Sequence, residues 1–153
     1  MSKEQFIHVD EGGDKFYFSD RKMTIRHRED GPAIEYTSGD KVWYINGKRH
    51  REDGPAIEWA NGDKYWYING KYHREDGPAV EWADGYKVWY INGELHREDG
   101  PAIEYADGDK VWYINGKCLT EEEFNARMNP VELTLDDIAA KFGVSVEQLK
   151  IKK

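Results

Sequence analysis

Ionisable side chains recur along this sequence at a fixed step of 23 residues. His27, His50, His73 and His96 each open the heptapeptide His-Arg-Glu-Asp-Gly-Pro-Ala, and Glu35, Glu58, Glu81 and Glu104 follow downstream of them. Two chemistries would draw on such columns: metal ligation by the histidines, or hydrolysis by paired carboxylates. Ligands sit about 2 Å from zinc, so histidines must converge to share an ion. If every unit supplies two strands about 4.8 Å apart, equivalent residues stand roughly 10 Å apart and do not converge. His50 with Glu52 and Asp53 is a loose, oxygen-rich alternative. Glycosidase carboxyls face each other at about 5–5.5 or 6.5–9.5 Å, and a flat sheet offers no cleft to raise the pKa of one of them. The sequence carries no nucleophile elbow, zinc motif or phosphate loop. The expectation is a protein without catalytic residues, metal or cofactor, whose histidines pack or hydrogen-bond at the corner between units.

The elements that carry these columns follow from the period. A unit of this length leaves a hydrophobic face that only its neighbour covers. Four copies fill 27–117, with a degenerate N-terminal capping repeat over 1–26 and a helical C-terminal cap over 118–153. In the second copy, Ala56-Ile57-Glu58-Trp59 and Lys64-Tyr65-Trp66-Tyr67-Ile68 read as strands. Asn61-Gly62 between them and Asn69-Gly70 after them are strong hairpin signals, because a type I′ turn needs positive φ at both central residues. Glu75-Asp76-Gly77-Pro78 then makes a corner, where proline fixes φ. The fold class expected is mainly β: an elongated, twisted antiparallel sheet of tandem hairpin repeats.

A two-residue loop at Asn61-Gly62 sets Ile57 opposite Trp66 and Glu58 opposite Tyr65. Strand alternation then predicts a buried face of Ile57, Trp59, Trp66 and Ile68, and an outer face of Ala56, Glu58, Tyr65 and Tyr67. On that outer face the glutamates Glu35, Glu58, Glu81 and Glu104 would run beside Tyr44, Tyr67, Tyr90 and Tyr113. These eight residues are the candidate partner-binding set, since tyrosine is enriched at recognition surfaces and glutamate among aromatics selects cationic or hydrogen-bond-donating partners.

The tail changes character. Thr120-Glu121-Glu122-Glu123 is a capping box opening a helix over Glu121–Met128. Thr134 starts a second helix, with Asp136 and Asp137 in its first turn and Gly143 at its end, and Ser145 precedes a last turn over 146–149. The segment 135–149 has the outline of a helix-turn-helix. Its second helix is short and lacks arginine, whereas a base reader needs several contacting side chains. Capping of the sheet is the role expected of it.

The repeat resembles a MORN repeat, through Asn46-Gly47-Lys48-Arg49-His50, Gly54 and Trp59-Ala60-Asn61-Gly62. The corner after the histidine is about two residues longer than in that family. The layout, ending in Leu119-Thr120-Glu121-Glu122-Glu123-Phe124, is also similar to small repeat proteins carried by tailed phages. These resemblances imply a sheet that contacts something, in host cytoplasm, and no catalytic residues.

Bulk properties narrow the partner. A net charge of −8 and a pI near 5.2 argue against nucleic acid and anionic membrane, which need clustered Lys and Arg. Cys118 is the single cysteine, which excludes an internal disulfide and fits a reducing cytoplasm. No apolar run approaches the roughly 18 residues of a membrane span, and the N-terminus lacks the apolar stretch of a signal peptide. The expected function is a non-enzymatic scaffold that docks on, and inhibits, a basic or nucleic-acid-handling protein. The alternatives are a nucleotide-sequestering protein and a self-assembling one, including a homodimer through apolar faces. Pockets of Tyr or Trp with Lys or Arg would favour sequestration; a shallow acidic groove would favour docking.

Overall fold

The computed structural model describes residues 5–130 and 132–149. The N-terminal residues 1–4 and the basic end 150–153 lie outside the described residues. The chain divides into two units, 1–120 and 121–153. The division falls after 118 because Lys117–Leu119 is itself a strand, paired with Lys110–Ile114.

The first unit is built on an antiparallel sheet of 11 strands that does not close. A hairpin of Phe6–Val9 and Lys15–Phe18 begins it. Short strand pairs follow, of which Ile57–Glu58 with Lys64–Tyr65 is typical. Each pair hydrogen-bonds to the next, as Val42 does opposite Ile57. The second strand signal of the first three copies is broken at its tryptophan, whereas in the fourth Lys110–Ile114 runs unbroken through Trp112. Lys64–Tyr65 stays in the main sheet, while Tyr67–Ile68 turns into a separate hairpin with Lys71–Tyr72. These outer hairpins are tied to one another as well: Gly70 N–H donates to the Arg49 carbonyl at 2.8 Å and Arg51 N–H to the Tyr67 carbonyl at 3.1 Å.

The two Asn/Asp-Gly turns of a unit differ, and the difference sets the faces. At the outer hairpin, Asn69 (φ 52°) and Gly70 (φ 83°) are both left-handed, the type I′ turn expected. At the first turn only Gly62 has positive φ, at 101°. There Trp59 N–H donates to Asp63 and Gly62 N–H to Trp59, so the loop has three residues, a type I turn closed by a glycine bulge. The Asn61 side chain favours this form by accepting from the Asp63 N–H at 3.0 Å, an Asx turn that needs no positive φ at Asn61.

One added loop residue moves the register by one. Ile57 stands opposite Tyr65 and Glu58 opposite Lys64, not opposite Trp66 and Tyr65. A one-residue slip sends every side chain of a strand to the other face, so the predicted faces are corrected. Ile57, Trp59, Tyr65, Tyr67 and Tyr72 pack with Ile34, Val42 and Ala56 in one core. By alternation Trp66 and Ile68 now fall on the side of the glutamates, half-buried, although the equivalent Trp43 still packs against the core. Tyr67 is only 5% exposed.

The second unit contains helix α1 (Glu121–Met128) and helix α2 (Leu135–Phe142). Thr134 caps α2 in a reciprocal pair with Asp137, and Gly143 ends it at φ 65°. Val146–Gln148 is a single 3-10 turn, so the place of a second helix in a helix-turn-helix holds three residues. Among the described residues no helix is long and apolar enough to cross a membrane.

Candidate functional site

The heptapeptide is a packing unit. Arg51 lies 4.1 Å over the Trp43 ring of the preceding unit. Its Nε donates to Asp53 at 2.8 Å, and one terminal nitrogen donates to the Pro55 carbonyl at 3.2 Å and to Glu58 at 2.8 Å. Arg74 over Trp66 and Arg97 over Trp89 repeat the stack at 4.0 and 3.9 Å, and Arg28 uses Tyr17 instead. Arg28 also donates to Asp30 and Glu35. The guanidinium holds the Asp53 carboxyl below the usual carboxylate range, through its hydrogen bond first and its charge second. Gly54 leaves room for the stack: a Cβ there would stand 3.0 Å from the Arg51 guanidinium carbon, so the guanidinium would have to shift. Ala56 is fully buried.

The histidine has the corner role expected. His50 Nδ1 accepts from the Asn69 N–H at 3.1 Å, and His27, His73 and His96 accept from Asn46, Asn92 and Asn115 in the same way. Each acceptance fixes the tautomer with the proton on Nε2, which faces the glutamate two residues on, Glu52 at 3.5 Å in this copy. One heptapeptide residue therefore points into solvent with little packing duty: Glu52, Glu75 and Glu98 have side chains 85%, 85% and 69% exposed.

Among the described residues, successive corners enclose three equivalent open clefts of 710, 630 and 620 Å³. Trp43, Trp66 and Trp89 line them in turn. In the first, Trp43 and Ile45 lie with Arg28, Glu29, Asp30, Arg51, Glu52 and Asp53. Four carboxylates thus meet two guanidiniums, and both guanidiniums already stack on a ring and bond to acids. The cleft rim favours a cation and has little to offer an anion.

The predicted partner-binding residues are not brought together. Glu35, Glu58 and Glu104 bond to the corner arginines Arg28, Arg51 and Arg97, as Glu81 does to Arg74. Tyr67 is buried on the other face, and Tyr44, Tyr90 and Tyr113 are half-buried. Tyr72 stacks between Tyr67 and Tyr90 at 4.2 and 5.1 Å. Burial raises the Tyr67 and Tyr90 hydroxyl pKa values. Sequence reasoning missed the Arg–Trp stack, although the eight-residue offset of Trp43 and Arg51 recurs at Trp66 and Arg74 and at Trp89 and Arg97. Comparison of the chain with models of known protein families and with curated proteins gives no match.

Proposed function

We propose that this chain is a non-enzymatic scaffold that binds a basic polypeptide along its row of corner clefts. The observation that carries the reading is the repetition of one acidic cleft, indole-lined and rimmed by exposed glutamates, three times along one face. Cationic side chains of an extended partner would meet a carboxylate pair at each step, and the indoles add apolar contact. The likeness to MORN repeats and to phage repeat proteins agrees with a contact role, inhibition of a host protein included. Nucleotide sequestration has less support, because the arginines that would meet phosphate are engaged by acids.

Calorimetric titration with a lysine- and arginine-rich peptide tests the reading. Binding should weaken steeply with salt and fall when Glu29, Glu52, Glu75 and Glu98 are all changed to Gln. Binding unaffected by those four changes would overturn it.

A further inference from the structure

A second column of acids ties the first-turn loops together, and it is interrupted once. Asp14 accepts from the Thr37 N–H at 2.7 Å, Asp40 from Ala60 at 2.6 Å, and Asp63 from Ala83 at 2.8 Å. The next residue of the column is Tyr86, which has no carboxylate for the Ala106 N–H. The repeat thus forgoes a charge-assisted hydrogen bond between units.

In its place stands a ring cluster. Tyr86 lies 4.7 Å from Trp82 and 5.3 Å from Tyr105. Trp82 and Tyr105, which flank their turns, are 44% and 43% exposed, whereas Tyr36 and Trp59 at the same position of the first two copies are half-buried. The two turns that carry these rings add Asp84, Asp107 and Asp109 and contain no lysine or arginine.

The corners of this chain show what completes such a set. There an aromatic ring and carboxylates hold an arginine, as Trp66, Asp76 and Glu81 hold Arg74. The cluster flanking the turns has rings and acids, and among the described residues no arginine lies over its rings, although Lys87 and Lys110 follow the turns in sequence. We propose that Trp82, Tyr86 and Tyr105 form a seat for an arginine side chain of a partner polypeptide, with the turn carboxylates facing its guanidinium. The planar guanidinium stacks on rings better than an ammonium does. This inference rests on the reading of the chain as a polypeptide-binding scaffold, but places the contact on a surface other than the corner clefts.

The test uses the full chain labelled with nitrogen-15, followed through its indole N–H signals, with Trp82→Phe assigning the signal of Trp82. The probes are N-acetyl-arginine amide and its neutral isostere, N-acetyl-citrulline amide. The Trp82 signal should shift with the arginine probe at least about three-fold more readily than with citrulline, the effect of one exposed cation–π contact. Tyr86→Asn offers the Ala106 N–H an acceptor without adding charge, and should weaken the response by about three-fold while the thermal midpoint holds. Equal response to the two probes on the unaltered chain, or an unchanged response in Tyr86→Asn, would overturn the proposal. Shifts confined to Trp43, Trp66 and Trp89 would also overturn it while leaving the corner reading standing. Shifts at Trp82 alone would do the reverse.

Discussion

Gly77→Ala probes the corner stack, and its effect should change with its neighbour. An ideal Cβ on Gly77 would lie 2.9 Å from the Arg74 guanidinium carbon, closer than real Cβ contacts come, and 3.1 Å from its Nε, tighter than most of them. The backbone itself accepts alanine, since Gly77 is not among the residues with positive φ. Arg74 cannot retreat without loss, because Trp66 lies 4.0 Å from the same carbon and Asp76 and Glu81 hold its nitrogens at 2.8 and 2.7 Å. The added methyl therefore overpacks the corner, at a cost of about 1–3 kcal/mol. In an Arg74→Ala background the obstruction is gone. Alanine then restricts the unfolded chain and should stabilise by up to about 0.4–1 kcal/mol. The coupling between the two sites should be about 2 kcal/mol. Urea denaturation of the four proteins, compared at equal m, measures it. An equal cost in both backgrounds would show that the glycine serves the backbone, and would refute the stack as its reason.

Three further outcomes are expected. Tyr67→Ala should destabilise by about 3 kcal/mol in urea denaturation, the cost of emptying a buried aromatic site; a loss of well under about 1 kcal/mol would place this ring outside the core. His73→Ala should cost about 1 kcal/mol and speed hydrogen exchange at the Asn92 amide, which loses its acceptor. Asp30, Asp53, Asp76 and Asp99 are held low by arginine hydrogen bonds. Their contribution is complete above the unfolded carboxyl value of about 3.9 and fades as pH falls through the lower folded values. The urea midpoint should drop on acidification through that window, and Asp76→Asn should flatten the drop.

Much of the fold was legible because the period is regular. The units, the type I′ turn at Asn69-Gly70, helix α1 over Glu121–Met128 and the cap at Thr134 all follow from local signals that read the same in any context. The face assignment was not legible, because Asn61-Gly62 serves a two-residue loop and a three-residue loop equally well. The choice lies in the Asn61 side chain accepting from Asp63 and in Asp63 accepting from Ala83 of the next unit. The second of these contacts is long-range and has no local sequence signature. That single ambiguity moved Tyr67 into the core and Trp66 out beside the acids. Tyr86 was visible as the odd residue in a column of Asp40, Asp63 and Asp109, but its meaning depends on knowing that the column is a chain of hydrogen bonds.

The division of faces rests on the register of the first hairpin, and paired cysteines measure that register directly. Trp59 and Asp63 are a hydrogen-bonded pair, so Glu58 and Lys64 beside them form the closer, non-hydrogen-bonded pair of the ladder. In a chain with Cys118→Ser, Glu58→Cys with Lys64→Cys should oxidise readily to an intramolecular disulfide, while Glu58→Cys with Tyr65→Cys should not. Ready oxidation of the second pair and not the first would return the tyrosines to the glutamate face and contradict the account.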